Sequence, residues 1–290
     1  MNECAPFRVI STVRTIGRCI PLLALIARAP GVMAQQSEPR DSTSRATLPL
    51  FTRDDAYLGG FFIAATAALA PFDRHIALEL EKPGSQASHV VQNLSTDVRL
   101  IADPGSVIIG AGMYITGRLA HQPKLADLGL HGEEAIVVSA ILGTAIKWTT
   151  GRARPYVVAD SNARDYQFLR GLRKGNAYSS FPSGHVMAAF SAAAAVSNEA
   201  ARWWPQSRWY VGTAMYTGAT AVAFSRMYND KHWASDVILG AGIGTFAGNK
   251  VVRYHHRTNP SNRLDRWLLG LTVMPTPRGD LAIGWSLGDR

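Results

Sequence analysis

Pro182-Ser183-Gly184-His185-Val186-Met187-Ala188-Ala189-Phe190-Ser191-Ala192-Ala193-Ala194-Ala195-Val196 is the stretch that decides the fold. Ser183 is a natural N-cap. Gly184 lets backbone approach a ligand closely. The run that follows is apolar and rich in alanine, and it predicts a helix over about Ser183–Trp203 whose small side chains pack tightly on its neighbours. Similar runs predict helices over about Asp54–Ala70, Asp73–Glu81, Ser106–Leu119, Gly132–Trp148, Trp209–Ser225 and His232–His255. Thr52 to Asp55 reads as a capping box, Pro71 as the stop of the first helix, and Glu133 and Glu134 as first-turn acids favoured by the helix dipole. The expected class is all-α, a bundle of about six core helices. At the end, Leu268–Met274 and Leu281–Leu287, separated by Pro275 to Asp280, read as a hairpin.

The chain has 290 residues, 47% of them hydrophobic and 18% charged, so it is long enough to bury a core and is not disordered by composition. Arg8, Arg14 and Arg18 precede a short apolar run, Cys19–Ala27, and Val32-Met33-Ala34 offers a small-residue cleavage site. Residues 1–34 are therefore expected to be an export signal. Their loss removes four arginines and Glu3 and takes the net charge from +9 to +6. It also removes Cys4 and Cys19, the chain's two cysteines, which excludes disulfides and thiol chemistry from the mature protein. Residues 35–53 read as a polar linker, 54–256 as the helical domain, and 257–290 as a tail. The basic balance fits attraction to anionic surfaces, and no nucleic-acid motif accompanies it. Charge-free runs such as Ala56–Phe72 and Trp209–Ser225 reach 17 residues, the others 12 to 14. A spanning helix needs about 20, so the runs favour a periplasmic bundle, free or apposed to the cell-envelope membrane, over one that crosses it.

Three pieces carry chemistry. Lys147-Trp148-Thr149-Thr150-Gly151-Arg152-Ala153-Arg154-Pro155 places Lys147 and Arg154 seven residues apart, nearly two helical turns, so both cations are expected on one face at a helix end. Pro182-Ser183-Gly184-His185 puts free backbone N–H groups at a helix start, which bind phosphate oxygens, with His185 in the first turn. Ser225-Arg226-Met227-Tyr228-Asn229-Asp230-Lys231-His232-Trp233-Ala234-Ser235-Asp236 supplies an arginine that can grip an anion bidentately, then His232 and Asp236 four apart on one helix face. A carboxylate so placed can hold one ring nitrogen and leave the other free. The loop 156–180, with Arg170, Arg173 and Lys174, reads as solvated. His255-His256 reads as a solvated basic helix end, with no third ligand in view for a metal.

Taken together the pieces resemble the type 2 phosphatidic acid phosphatase and vanadium haloperoxidase superfamily, over roughly Ala135 to Lys250. The resemblance implies a phosphoric-ester hydrolase acting on phosphomonoesters, lipid phosphates or pyrophosphates. It implies Lys147, Arg154, Ser183, Gly184 and Arg226 as phosphate-binding residues, His232 as nucleophile forming a phosphohistidine, Asp236 as its orienting group, and His185 as acid then base. It implies no metal and no cofactor, with vanadate as a phosphate mimic; the alternatives are a vanadate-dependent haloperoxidase or an inactive binder of phosphate head groups. The expected partner is a phosphorylated small molecule or lipid head group outside the cytoplasm, and no nucleic acid.

Overall fold

A computed structural model describes residues 49–158, 162–259, 267–268, 271–275 and 281–285. Contacts separate Met1–Ala46 from Thr47–Arg290. The expected export signal, and the linker up to residue 48, lie outside the described residues.

The described part is a helical bundle. Helix α1 (Arg53–Leu69) opens on the expected capping box: the Asp55 carboxylate accepts the Thr52 backbone N–H at 2.6 Å and its hydroxyl at 2.9 Å. Pro71 does not stop this rod. It sits in the first turn of a 3-10 segment, Ala70–Phe72, where no N–H is needed, and the chain runs on into α2 (Asp73–Glu81). Helices α3 (His89–Leu100) and α4 (Ser106–Leu119) form a second bent rod. Its kink falls at Asp103, which takes extended backbone (φ −153°, ψ 117°) because the following proline disfavours the helical region.

Helix α5 (Pro123–Thr150) begins well before Gly132, with a proline in its first turn. Glu133 and Glu134 are therefore mid-helix residues, not first-turn acids. Gly151 ends α5 in the left-handed conformation (φ 52°), and its N–H returns to the Lys147 carbonyl. The described residues of the segment 156–180 are braced rather than loose. Arg170 is buried, and its guanidinium donates to the Gly151 carbonyl at 2.9 and 2.8 Å and to Asp165 at 3.0 Å, so the solvated reading fails for Arg170. It holds for Arg173 and Lys174, which are exposed.

Helix α6 (Gly184–Trp203) packs against α5, α7 (Arg208–Tyr228) and α8 (Ala234–Arg253). The approach of α6 to α8 is set by glycine. A Cβ on Gly244 would stand 2.4 Å from the Met187 backbone carbonyl. Alanine gains up to about 1 kcal/mol of helix propensity over glycine, but overpacking against fixed backbone costs about 1–3 kcal/mol. Gly244→Ala is therefore expected to lower the melting temperature of the detergent-solubilised protein; a variant that melts with the wild type would refute this account of the α6–α8 contact. Beyond the bundle, the backbones of Leu271–Pro275 and Leu281–Trp285 pair antiparallel.

The outer face is strongly apolar. Ile63, Ile108 and Ile141 are each about two-thirds exposed, and Phe61, Ile115 and Trp209 also face outward. Two helical stretches, Arg53–Glu81 and His89–Leu119, are long and apolar enough to cross a membrane. Counting charge-free runs understated them, because Asp73, Asp97, Arg99 and Asp103 divide in sequence what the backbone joins into continuous rods.

Candidate active site

Four helix ends meet at one end of the bundle: the C-termini of α5 and α7 and the N-termini of α6 and α8. The last two are tied directly, the Ser183 N–H donating to the Asp236 carbonyl at 3.1 Å. Two helix N-termini bring two positive dipole ends to one place.

Three cations gather there. Lys147, in the last turn of α5, stands over Gly184: a Cβ on that glycine would lie 3.4 Å from Nζ. It lies within electrostatic range of Arg154 and Arg226. Arg154 is not on the face of α5, as its spacing predicts. The left-handed turn at Gly151 takes it out of the helix, and it reaches the site from the following segment. It is held there by hydrogen bonds from Nε and Nη2 to Asn176 at 2.7 and 2.6 Å, and from Nη1 to the Lys231 carbonyl at 3.1 Å. Arg226, in the last turn of α7, is 4% exposed, yet its Nε and Nη1 have no hydrogen-bond partner among the described residues. The Ser183 hydroxyl is likewise buried and unpartnered. Ser183 occupies the N-cap position of α6, but its side chain does not cap the helix. Buried donors almost always find partners, and donors left open in this way can take up an anion.

His232 is 2% exposed. It precedes α8 instead of lying on it. The chain turns at Asn229-Asp230, with Asp230 at φ 52°, and the His232 N–H returns to the Arg226 carbonyl at 3.3 Å. The helix-face argument for His232 and Asp236 therefore fails, although the two are close: Nδ1 is 3.6 Å from the Asp236 carboxylate. Its nearer partner is the Ser180 carbonyl, at 2.8 Å. A carbonyl only accepts, so Nδ1 carries the proton and Nε2 keeps the lone pair. Burial pushes the imidazole down to about 3; Asp236 opposes that shift, and Arg154 and Lys147 reinforce it. At neutral pH His232 is an unprotonated base among fixed cations. His185, in the first turn of α6, has Nε2 4.0 Å from the Asp103 carboxylate. It lies within range of Arg226 and Lys147.

Residues 134–260 match the PAP2 superfamily model. Over that stretch, 127 of the chain's 290 residues, it is similar to that superfamily. The lipid A 1-phosphatase of Porphyromonas gingivalis is 41% identical to it over 87 residues, 30% of this chain and 19% of that relative. The chain thus spans about a fifth of the curated relative it matches. A crystal structure of a transmembrane PAP2-type phosphatidylglycerolphosphate phosphatase from Bacillus subtilis superposes with a TM-score of 0.52 at 20% identity, covering 73% of this chain and 99% of that one. That likeness is one of fold.

The site rests on a layer of buried charge that spacing did not reveal. Asp236 is fully buried, and its carboxylate accepts from Arg152 and from the Ser180 hydroxyl, both at 2.5 Å, and from the Trp233 N–H at 2.9 Å. Arg152 also donates to Asp73 at 2.7 Å and to the Ser235 hydroxyl at 2.8 Å. Ser235 donates its N–H to Asp73 at 2.8 Å. Burial opposes the Arg152 charge, but Asp236 and Asp73 hold its pKa above the ordinary value. Ser180 thus links two groups, giving its hydroxyl to Asp236 and its carbonyl to His232. Arg152 lies between Lys147 and Arg154 in sequence and reads there as one more basic residue. Asp73 reads as an ordinary acid in a helix's first turn.

Proposed function

We propose that this chain is a lipid phosphate phosphatase that works through a phosphohistidine on His232. The observation that carries the reading is the set of buried, unpartnered donors, Arg226 Nε and Nη1 and Ser183 Oγ, beside an unprotonated histidine and two further cations. Such a pocket is repulsive when empty and complementary to a phosphoryl group. Lys147, Arg154, Arg226, the Ser183 hydroxyl and the Gly184 N–H bind the non-bridging oxygens. These groups are fixed before the reaction, so they stabilise the transferring phosphoryl without reorganising. They supply the charge that a metal ion supplies elsewhere, and the reading needs no metal in the reaction.

His232 Nε2 attacks phosphorus, and the bond to the leaving oxygen breaks. His185 gives that oxygen its proton. His185 then takes a proton from water, which attacks the phosphohistidine and releases phosphate and free His232. A bound phosphate dianion favours the protonated form of His185 against the neighbouring cations, and Asp103 supports it from the other side. His185→Ala is expected to slow hydrolysis of alkyl phosphates by roughly 100- to 10,000-fold, the usual worth of general acid help. An aryl phosphate, whose leaving group needs no proton, should lose far less in the phosphorylation step. Equal losses on the two substrates, compared as kcat/KM, which reports the first step alone, would remove His185 from the acid role.

The lipid assignment rests on the apolar outer face, the two stretches able to cross a membrane, and the lipid-phosphate activities of the relatives. Exposed apolar surface of this extent belongs against lipid or another protein, and we read the bundle as membrane-embedded, with its site at one end. Arg226 also lines a cleft of about 300 Å³ together with Arg99 and Lys231, and we read that basic cleft as the approach of a charged head group. The test is phosphate release by the detergent-solubilised chain, with chelator present, from phosphatidate and from glycerol phosphate. Preference for phosphatidate supports the lipid reading, preference for the soluble ester refutes it, and binding of phosphate without turnover of either reduces the site to a head-group binder.

A further inference from the structure

At the other end of the bundle lies a second cluster. His131 on α5, Glu199 on α6 and His256 just beyond α8 each offer one atom, and the three atoms lie within 4.8 Å of one another. His131 and Lys147 are sixteen residues apart on α5, about 24 Å at 1.5 Å per residue. The cluster is therefore remote from the phosphate cradle. In sequence His255-His256 has no third ligand nearby; the fold supplies two, from helices whose numbering gives no hint of the meeting. His255 is not the solvated residue its position predicts either: it is buried, paired with Glu134 at 2.5 Å and stacked on His131 with centroids 4.3 Å apart.

We propose that His131, Glu199 and His256 bind one divalent transition-metal ion of the zinc class, which fastens α5, α6 and the segment after α8 to one another. Two imidazoles and a carboxylate are the donor set zinc takes, with water completing a tetrahedron. Both rings converge on one atom, Glu199 Oε1, from His131 Nδ1 at 2.6 Å and His256 Nε2 at 2.7 Å. Those are hydrogen-bond lengths. Donors around zinc stand about 3.3 Å apart, given bonds of about 2.0–2.1 Å, so an ion replaces the bridging protons after side-chain shifts of several tenths of an ångström. Glu199 is fully buried, and its second oxygen, Oε2, has no hydrogen-bond partner among the described residues. That oxygen is free to turn the carboxylate bidentate. The stacked His255, held by Glu134, keeps the His131 ring in plane, as outer-shell groups do for metal ligands.

The test uses the full chain in detergent, with any affinity tag removed, stripped by chelator and then equilibrated with micromolar zinc. Bound metal is measured by elemental analysis and stability by thermal unfolding. The expected result is one zinc per chain and a melting temperature raised by several degrees. Glu199→Gln, His131→Gln and His256→Gln should each abolish both effects, while His75→Gln, on an exposed face, should keep them. His256 is at the edge of the cluster, its side chain 14% exposed, so its variant folds even if a buried substitution does not. A wild-type chain that retains no zinc, or zinc that survives His256→Gln, overturns the proposal. Because the ion is remote from the cradle, stripping should lower the melting temperature while phosphatase turnover, assayed well below that temperature, persists.

Discussion

His232→Ala is expected to abolish phosphate release from every substrate the wild type accepts, with the folded state retained. The His232 Nδ1 proton is fixed on the Ser180 carbonyl, and the Nε2 lone pair is available at neutral pH because burial and two cations hold the imidazole far below its ordinary pKa. Nothing else described at the cradle combines nucleophilicity with that placement: Ser183 has a hydroxyl but no base hydrogen-bonded to it. Removing the imidazole removes the attacking atom, so the loss is in kcat and not in affinity. Binding of phosphate or orthovanadate should persist, since the cations and the Ser183 and Gly184 donors remain. Steady-state turnover together with vanadate titration checks this. Measurable turnover in His232→Ala, above a contaminating-phosphatase control, would mean that another group attacks phosphorus.

Arg152→Ala is expected to be the most destabilising single change at the site. Arg152 is buried between two buried carboxylates, Asp73 on α2 and Asp236 on α8. Breaking a buried pair by removing one partner costs about 3–5 kcal/mol, because the remaining charge is left unpaired; here two are left. Asp236 also loses a bond that fixes its position under His232, so any folded fraction should turn over slowly. Lysine cannot serve both carboxylates with the same planar fork, so Arg152→Lys should rescue little. The diagnostic is coupling: Asp73→Asn added to Arg152→Ala should cost less than the two single changes summed, since one orphaned charge disappears. Thermal unfolding of the four proteins measures it. Additive losses, or an Arg152→Ala protein as stable as wild type, would refute the buried network.

The residues that meet at the cradle were legible in sequence because each sits in a short motif with its own chemical sense. What was not legible is how they meet. Lys147 and Arg154 suggested one helix face, but a glycine in the left-handed region separates them. His232 and Asp236 suggested one turn of helix, but His232 stands before α8 and Asp236 is that helix's third residue, accepting the N–H of Trp233. In both cases the spacing was right and the conformation between the residues was not. Asp73, Arg152 and Ser180 were missed for another reason: their roles come from burial and from partners far off in the chain, and a lone Asp after Pro71-Phe72 has no local feature to set it apart. The same holds for His131 and Glu199. The two long apolar rods were understated because each is interrupted by charges that the fold places at kinks and helix ends.

The most direct test of the central claim is to trap the phosphoenzyme. An aryl phosphate labelled in its phosphoryl group is mixed with the His185→Ala variant, which can still be phosphorylated but lacks the base for the second step, and the protein is quenched in alkali. The expected result is label on the protein, stable to alkali, labile to acid and located on His232. A protein that turns over aryl phosphate with no label retained, or with label on any other residue, would contradict it.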